Sequence, residues 1–538
     1  MRGLCALAVL AVVMGCTRVA TLPAGGRHEW TIPHVLRIAD ISDPDHLNPY
    51  LSEMDLVYFL SSLIYSYLII ANADGRLVGD LATEVPTLRN GGISSDGLTY
   101  TYHLRRGVLW QDGTPFTARD VIASWRAVVD PRNLTLFREG YDRVARISAP
   151  NPYTVVVRLH SRDPAFVSQF FAPLQEGGKP ILPAHVIDRD ADFNHSSLDE
   201  HPIGTGPFRF VRWVHGSEIV LSRFNRYFKG TPKLRRIVLR VIPDDETIAM
   251  QVRLHAIDLV VSPPAALYDE YRSFPNVVTG LRPWNAQMVL VLNDRQAGLG
   301  DVNVRRAIAM AANYDALVTK VSHGVGEIAR NTLPPTALGY VPLPPHRYDP
   351  QRARETLASA GWLPDAGGVR ERNGARLAYT LAIIAGSTNL NEIALELQQD
   401  LRAVGIALSI KAYPYDAIFS PHGPILSGAY DMAIYSTTLQ WDPDVHVYVG
   451  CNQWYPKGQN VYGYCNRKLD RLEAEGMQTE DPLQRAAIYR TASDIMWSTI
   501  SYLPLYELRR AVVRSPDLRG FSTNPSATPW WNAWQWDI

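Results

Sequence analysis

Residues 109–125 read Leu-Trp-Gln-Asp-Gly-Thr-Pro-Phe-Thr-Ala-Arg-Asp-Val-Ile-Ala-Ser-Trp, and they contain a complete start signal for a helix. The Asp-Gly pair at 112–113 predicts a turn. Thr117 is a favourable N-cap residue, and Asp120 puts a negative charge near the positive end of the helix dipole. We therefore expect a turn that leads directly into a helix over residues 118–129.

Short segments of alternating or continuous apolar residues predict strands on both sides of this helix. The predicted strands are 35–41, 99–106, 153–159, 208–213, 218–224, 235–242 and 257–261. Residues 51–70 are apolar all round a helical wheel, which predicts a buried helix.

From about residue 287 the pattern changes to strands that alternate with helices. The predicted strands are 287–293, 377–384, 407–413 and 430–436, and the predicted helices are 302–321, 390–404 and 483–499. Gly405 follows its helix at the position that favours a left-handed cap. Such alternation favours parallel strand pairing and an α/β domain.

The composition limits the classes of partner. A chain of 538 residues allows roughly two to four domains. Its 53 basic and 53 acidic side chains balance, so that we expect no nucleic-acid partner.

Catalytic motifs are missing from the sequence. It contains no His-Glu-x-x-His, no Cys-x-x-Cys, no Gly-x-Ser-x-Gly elbow and no P-loop. We therefore expect no enzyme, no metal site and no cofactor. A hydrolase with an unrecognised active site is the alternative from a different class.

The amino terminus has the pattern of an export signal. Arg2 precedes an apolar segment over residues 4–14, which is too short to span a bilayer. The segment ends in Gly15 and Cys16, and it resembles a bacterial lipoprotein signal in which Cys16 becomes the lipidated first residue. We expect residues 1–15 to be removed and the chain to be anchored on the periplasmic or cell-surface side. An ordinary secretory signal is the alternative.

The remaining cysteines form a pair. Cys5 leaves with the signal and Cys16 takes the lipid, which leaves Cys451 and Cys465. In an oxidising compartment two cysteines at this spacing favour a disulfide. Zinc is the poorer interpretation, because two thiols without nearby His or Cys partners make half a site.

Residues 109–125 resemble the signature of the extracellular solute-binding protein family 5, the peptide/nickel-type receptors of ABC importers. Further segments match the same family in the same order. They are 43–49 (Asp-Pro-Asp-His-Leu-Asn-Pro), 202–208 (Pro-Ile-Gly-Thr-Gly-Pro-Phe), 304–308 (Val-Arg-Arg-Ala-Ile) and 348–350 (Tyr-Asp-Pro). The resemblance implies a class II periplasmic binding protein-like α/β fold of two lobes, with an extra inserted subdomain in the first lobe.

The resemblance also implies domain limits. Residues 16–33 would be a flexible tether, 34–283 the first lobe with an insertion at about 81–202, and 284–505 the second lobe. Residues 506–538 would return to the first lobe, and two strands would cross between the lobes. A peptide or other small polar ligand would bind in the cleft, and the closed monomer would dock on a membrane permease. A receptor that signals without transport is the alternative to an importer receptor.

Peptide binders of this family use an aspartate, three residues ahead of an acidic-Pro pair, to accept the peptide ammonium. Here the pair is Asp442-Pro443 and the matching position is Leu439, which cannot pair with an ammonium. Asp442 or Asp444 would have to substitute. The departure keeps an oligosaccharide, an opine or a metal chelate open as the ligand.

The other candidate ligand contacts are aromatic and amide side chains. Tyr435 and Trp441 are candidates for stacking, although Tyr435 also fits a strand residue that faces the core. The remaining candidates are Asn48 and Tyr50, in a loop after the first strand, and Trp284 and Asn285, near the first crossing strand. Plain turn chemistry and a hinge, respectively, are the alternatives for these two pairs. The aromatic tail at 529–536 fits a cluster buried on a neighbouring lobe better than a sugar platform.

Overall fold

A computed structural model describes residues 26–136, 138, 140–173, 178–438, 441–522 and 530–538. The predicted signal, Cys16, the first part of the tether and Leu439 lie outside the described residues. Within the described ranges, none of the helices combines the length and the apolar character needed to cross a bilayer.

The strands of the described residues run along the whole chain. They are β1 (Val35–Asp40), β2 (Ile69–Ala71), β3 (Leu77–Gly79), β4 (Thr99–His103), β5 (Val144–Asn151), β6 (Thr154–Leu159), β7 (Phe208–Val214), β8 (Glu218–Arg223), β9 (Arg236–Val241), β10 (Leu259–Val261), β11 (Val278–Leu292), β12 (Glu327–Ile328), β13 (Leu363–Pro364), β14 (Arg370–Arg372), β15 (Ala375–Arg376), β16 (Ala378–Ile384), β17 (Ala407–Tyr413), β18 (Met432–Thr438) and β19 (Leu503–Arg514).

The helices vary from single turns to eighteen residues. They are α1 (Asp55–Ile64), α2 (Ala118–Val129), α3 (Phe166–Gln169), α4 (Ala184–Ile187), α5 (Asp245–Arg253), α6 (Tyr268–Ser273), α7 (Val302–Ala311), α8 (Tyr314–Ala316), α9 (Pro350–Ser359), α10 (Thr388–Arg402), α11 (Tyr415–Ile418), α12 (Pro424–Ser427), α13 (His446–Val449), α14 (Arg467–Gly476) and α15 (Pro482–Thr499). A π turn at Leu317–Val321 and 3-10 turns at Phe193–His195, Ser197–Asp199, Ala265–Leu267 and Ala533–Gln535 complete them.

One continuous sheet runs through both lobes. Its strand order is β17–β16–β18–β11–β19–β10–β1–β9–β8–β7, and β12 pairs with β19 at the side. The central pair, β11 and β19, is antiparallel from Val278 opposite Arg514 to Leu290 opposite Leu503, and its register shifts twice, within residues 283–287 and within residues 288–289 of β11. The crossover, as we call this strand pair, therefore carries the chain between the lobes twice.

The apolar residues form separate cores at the two ends of the crossover. The core of the first lobe includes Leu36, Trp110 and, from the carboxyl-terminal tail, Trp530 and Trp536. The second lobe has one apolar cluster on each side of its sheet. Trp530 and Trp536 are thus buried on the first lobe as expected, Trp531 and Trp534 are half-buried, and residue 529 lies outside the described residues.

Residues 109–125 fold as their local signals predict. Helix α2 begins and ends at the expected residues, and Thr117 and Asp120 form a reciprocal capping box. Gly405 follows α10 with a φ of 86°, and strand β17 has the predicted limits.

The predicted helix over 51–70 is wrong at both ends, because α1 begins at Asp55 and stops at Ile64. The Ile64 carbonyl accepts hydrogen bonds from Gly206 N at 2.8 Å and from Gln111 Nε2 at 3.0 Å. Gly204 lies so close that a Cβ there would come within 1.8 Å of the same oxygen. Contacts that join the two family motifs at 109–125 and 202–208 therefore end the helix, and its own sequence does not predict this.

Two more expectations for the second lobe need correction. The predicted helix over 302–321 breaks after Ala311, because Asn313 caps a new turn by accepting from Ala316 N. Strand β16 pairs in parallel with β17 and β18, but β11 pairs antiparallel with β18. The sheet is therefore mixed, because the crossover adds antiparallel pairs to the parallel ones.

Cys451 and Cys465 form a disulfide, which confirms the predicted pair. The bond joins residues 14 apart. Closing a loop of this size stabilises a fold by about 3 kcal/mol in the chain-entropy account.

Candidate ligand site at the crossover

Two arginines face each other on the crossover. The antiparallel register places Arg282 of β11 opposite Arg510 of β19. The Arg510 guanidinium lies 3.9 Å from the centre of the Trp284 ring and forms an ion pair of 2.5 Å with Asp55, the first residue of α1. The crossover thereby brings two positive charges beside an aromatic ring.

Arg282 is buried, with 8% of its surface exposed, yet its guanidinium has little to bind. Its Nη2 lies 3.5 Å from Ser262 Oγ, and its Nε has no hydrogen-bond partner among the described residues. Burial, and then the charge of Arg510, lower the pKa of Arg282 to about 9. This guanidinium therefore has unused capacity to donate hydrogen bonds.

A second polar group lies further along the same strands. Gln287 Nε2 donates to Glu507 Oε1 at 2.8 Å and to the Asn331 carbonyl at 2.9 Å. The other side-chain oxygens of Gln287 and Glu507 are buried and have no partner among the described residues. Burial raises the pKa of Glu507 to about 8 even though the hydrogen bond from Gln287 lowers it. At pH 7 this carboxyl is therefore mostly neutral.

A loop of the second lobe connects the crossover to Trp441. Thr336 Oγ1 donates to Asn285 Oδ1 at 2.6 Å, and Leu338 N donates to the Trp441 carbonyl at 3.2 Å. The Trp441 side chain packs against the apolar core of the first lobe. Trp284, Asn285 and Trp441 therefore all lie where the two lobes meet.

The lobes also meet at a second place. Gly97 lies so close to Glu480 that a Cβ at position 97 would come within 2.6 Å of Glu480 Oε1. Gly97 precedes β4, whose residues join the core of the first lobe, and Glu480 lies between α14 and α15, whose residues join a core of the second.

Asp442 is engaged within the second lobe. Arg485 holds both of its carboxylate oxygens, with 2.8 Å between Nη2 and Oδ1, and both residues are buried. Its charge is therefore already neutralised by Arg485, and the role of Asp442 in place of the ammonium-binding aspartate stays a prediction that this pairing does not favour.

Asp444 also belongs to the internal structure of the second lobe. Its Oδ1 accepts from His446 N at 3.0 Å, and Glu473 lies beside it. Burial, and then the mutual repulsion of these two carboxylates, raise the pKa of Glu473. Burial likewise raises the pKa of Asp444. Both carboxyl groups therefore keep a proton to higher pH than exposed carboxyl groups do.

Three predicted contacts lie in the cores of the lobes. Asn48 and Tyr50 are both 0% exposed, and Tyr50 donates through its hydroxyl to the Pro180 carbonyl at 2.7 Å. Tyr435 packs in the second-lobe core, with its ring 5.5 Å from that of Phe419. Asn48 and Tyr50 are both enclosed by the protein in this structure, and their roles as ligand contacts stay predictions. The alternative interpretation of Tyr435 as a core residue fits its position.

The sequence predictions missed Arg282, Gln287, Glu507 and Arg510. A signal for them was present, because each of these polar residues lies in a strand whose neighbours are mostly apolar. Buried charges need partners, so a charge inside an apolar strand indicates an unusual environment. In the ranges that the structure describes, no group of three or more His, Cys, Asp or Glu side chains is arranged to hold a metal ion.

Comparison with known sequences identifies the family. The family model described as "Bacterial extracellular solute-binding proteins, family 5 Middle" matches residues 76–459. The chain belongs to this family. The resemblance predicted from residues 109–125 and the other motifs is thereby confirmed.

Relatives within family 5 match along nearly the whole chain. The oligopeptide-binding protein AppA of Bacillus subtilis is 24% identical over 512 residues, which cover 93% of this chain and 91% of that protein. The nickel-binding periplasmic protein of Escherichia coli K12 is 27% identical over 492 residues, which cover 90% of each chain.

A solved structure shows the same fold. The ABC transporter substrate binding protein CtaP of Listeria monocytogenes matches with a TM-score of 0.78 and 22% identity. The match covers 93% of this chain and 98% of that one. This chain and CtaP therefore share one fold.

Proposed function

We propose that this protein is the substrate-binding receptor of an ABC importer, which captures a small polar solute between its lobes and delivers it unchanged to a membrane permease. The observation that carries the proposal is the set of buried, unpartnered polar atoms on the crossover of a family 5 solute-binding protein. A solute bound there would satisfy hydrogen-bonding groups that the protein itself leaves free.

Binding would work through closure of the two lobes about β11 and β19. A solute stabilises the closed state only by binding it more tightly than the open state. Closure also removes water, which strengthens each polar contact with the solute. The contacts of Trp441 and Gly97 with the opposite lobe would add stability in the closed state alone.

The domain limits follow from the same proposal. The first lobe would comprise residues 34–283 with the insertion at about 81–202, and the second lobe residues 284–505. Residues 506–538 would return to the first lobe, in agreement with the burial of Trp530 and Trp536 in its core. Both limits between the lobes would then fall within the crossover strands.

The solute would be a peptide or another small polar molecule. Relatives are named for an oligopeptide, for nickel and for glutathione. Asp442 is held by Arg485, so an ammonium-binding aspartate in this segment is not favoured. An oligosaccharide, an opine or a metal chelate stays the alternative to a peptide.

Export would place the receptor outside the cytoplasm. It would act there as a monomer. Residues 1–15 would be cleaved, Cys16 would carry the lipid, and residues 16–33 would tether the lobes to the membrane. The mass of the mature amino-terminal peptide from the native host tests this, since a diacylated Cys16 differs from an ordinary cleaved terminus.

Native mass spectrometry of the protein purified from its own host tests the receptor function. We expect a second species heavier by the mass of one bound solute, and release of that solute unchanged on unfolding. A protein that retains no solute, both as purified and after incubation with the polar metabolite extract of the host, would contradict the proposal. A released product that differs from the solute supplied would instead indicate an enzyme.

A further inference from the structure

We infer that the crossover contains an anion subsite in which the guanidinium groups of Arg282 and Arg510 bind a carboxylate group of the solute. The inference rests on the proposed receptor function and narrows its substrate class to organic acids.

The charges at this place do not balance. Two guanidinium groups, Arg282 and Arg510, lie opposite each other, while Asp55 is the carboxylate that pairs with Arg510. Asp55 is 64% exposed and is therefore well hydrated. Among the described residues no carboxylate forms an ion pair with Arg282, so the subsite has a surplus of one positive charge.

Arg282 is costly to the protein in the absence of a solute. An unpaired charge inside a fold loses its hydration without gaining a partner, and such groups are rare unless a ligand or ion compensates for them. The orphaned Nε and the long contact from Nη2 to Ser262 leave most of the guanidinium donors free. A carboxylate would satisfy several of these donors at once, because its two oxygens match the guanidinium fork.

The surroundings of the two arginines favour an anion. Trp284 lies against the Arg510 guanidinium and restricts the orientation of its plane. The amino-terminal end of α1 lies at the same place, because Asp55 is its first residue and Met54 provides no side-chain cap. The positive end of the helix dipole adds positive potential there. Since the surplus is a single charge, a carboxylate fits it better than a doubly charged phosphate.

The test compares two variants, each of which removes one arginine of the crossover. Arg282→Met removes the unpaired guanidinium. Arg509→Gln removes an arginine one residue from Arg510 whose partner is the exposed Glu327 of the second lobe, so it is the matched control. Wild type and both variants are incubated with the polar metabolite extract of the host and washed. The retained solutes are then released by unfolding and identified by mass.

We expect the wild type and Arg509→Gln to retain solutes that carry a carboxylate, and Arg282→Met to bind them about 30-fold or more weakly. We also expect the solute-free Arg282→Met protein to melt at the same temperature as the wild type or higher, because the substitution removes an unpaired buried charge. Arg510→Gln, which keeps Arg282 in place, serves as a second variant if Arg282→Met does not fold. It should lower the affinity for the same solutes.

Two outcomes would overturn the inference while leaving the receptor function intact. One is retention of solutes that are neutral, cationic or acidic through phosphate alone. The other is equal retention by the wild type, Arg282→Met and Arg510→Gln. Failure of the wild type to retain any solute would contradict the receptor function itself, and the subsite with it.

Discussion

Arg485 and Arg282 are both buried arginines, but their surroundings are opposite. Arg485 is 2% exposed and binds both oxygens of Asp442, and its Nε donates to the Gly476 carbonyl at 3.1 Å. Burial lowers the pKa of Arg485, but the charge and hydrogen bonds of Asp442 outweigh it and leave the pKa raised. For Arg282 burial dominates and the pKa falls to about 9.

This difference in partners distinguishes a charge that stabilises the fold, on Arg485, from an unpaired charge, on Arg282. The Asp442–Arg485 pair is satisfied within the second lobe and joins the segment after β18 to α15. Arg282 contributes nothing comparable to the fold, because a buried charge without a partner destabilises it. A group that costs stability and lies where two lobes meet is a candidate for ligand binding.

The largest effect should come from breaking the satisfied pair. Asp442→Asn leaves Arg485 buried without a counter-ion, and we expect a loss of about 3–5 kcal/mol in the free energy of unfolding. Urea unfolding at pH 7 measures it. Asp188→Asn, which breaks the exposed pair with Arg119, is the control and should change the free energy of unfolding far less. Equal costs for the two variants would remove the distinction.

The next effect concerns the second unsatisfied group of the crossover, Glu507. The folded carboxyl has a pKa of about 8, above the ordinary glutamate value of 4.5, so between these values the folded protein keeps a proton that the unfolded chain has lost. The stability from this group is therefore present at low pH and declines as the pH rises towards 8.

Glu507→Gln should remove this decline. Relative to the variant, we expect the wild type to lose roughly 1.4 kcal/mol of unfolding free energy per pH unit between pH 5 and about 8. Chemical denaturation at several pH values measures the difference. The exposed Glu371 provides the control Glu371→Gln, which should parallel the wild type. A Glu507→Gln profile parallel to the wild type would show that this carboxyl is charged at neutral pH.

A smaller effect is expected for the contact between lobes at Trp441. Trp441→Ala removes a side chain that packs against the opposite lobe, so it should weaken binding of the co-purified solute about tenfold through the closed state. Thermal shift with and without that solute measures it, and the solute-free melting temperature should stay within a few degrees. Trp534→Ala, in the tail beside Tyr227, is the control. An unchanged shift by solute in Trp441→Ala would remove Trp441 from the site.

The smallest effect concerns Asp55, the exposed partner of Arg510. Asp55→Asn frees Arg510 from its exposed partner, and we expect the affinity for an acidic solute to rise about two- to fivefold. Isothermal titration with the solute identified by mass measures it. Asp45→Asn, an exposed aspartate in the preceding loop, should leave the affinity unchanged. Weaker binding by Asp55→Asn would instead make Asp55 a contact for a cationic part of the solute.

The success of the sequence predictions follows the range of the interactions involved. Helix α2 was predicted to the residue, because Thr117 and Asp120 satisfy its first N–H groups within three residues. The end of α1 was predicted wrongly, because Gln111 and Gly206, which are distant in sequence, donate hydrogen bonds to the Ile64 carbonyl. Asp442 was proposed as a ligand contact, because nothing in its neighbourhood of the sequence indicates the partner 43 residues away.

The sequence by itself determined the family, the capped helix and the cysteine pair, since motif order, local hydrogen bonding and cysteine number can be read along the chain. Only the tertiary structure decided which buried charge is satisfied. Arg282, Arg485 and Arg510 are the same residue type, and each one's environment is set by strand register and by partners far away in sequence. Electrostatic energy depends on distance through space and on burial, and neither is encoded in spacing along the chain.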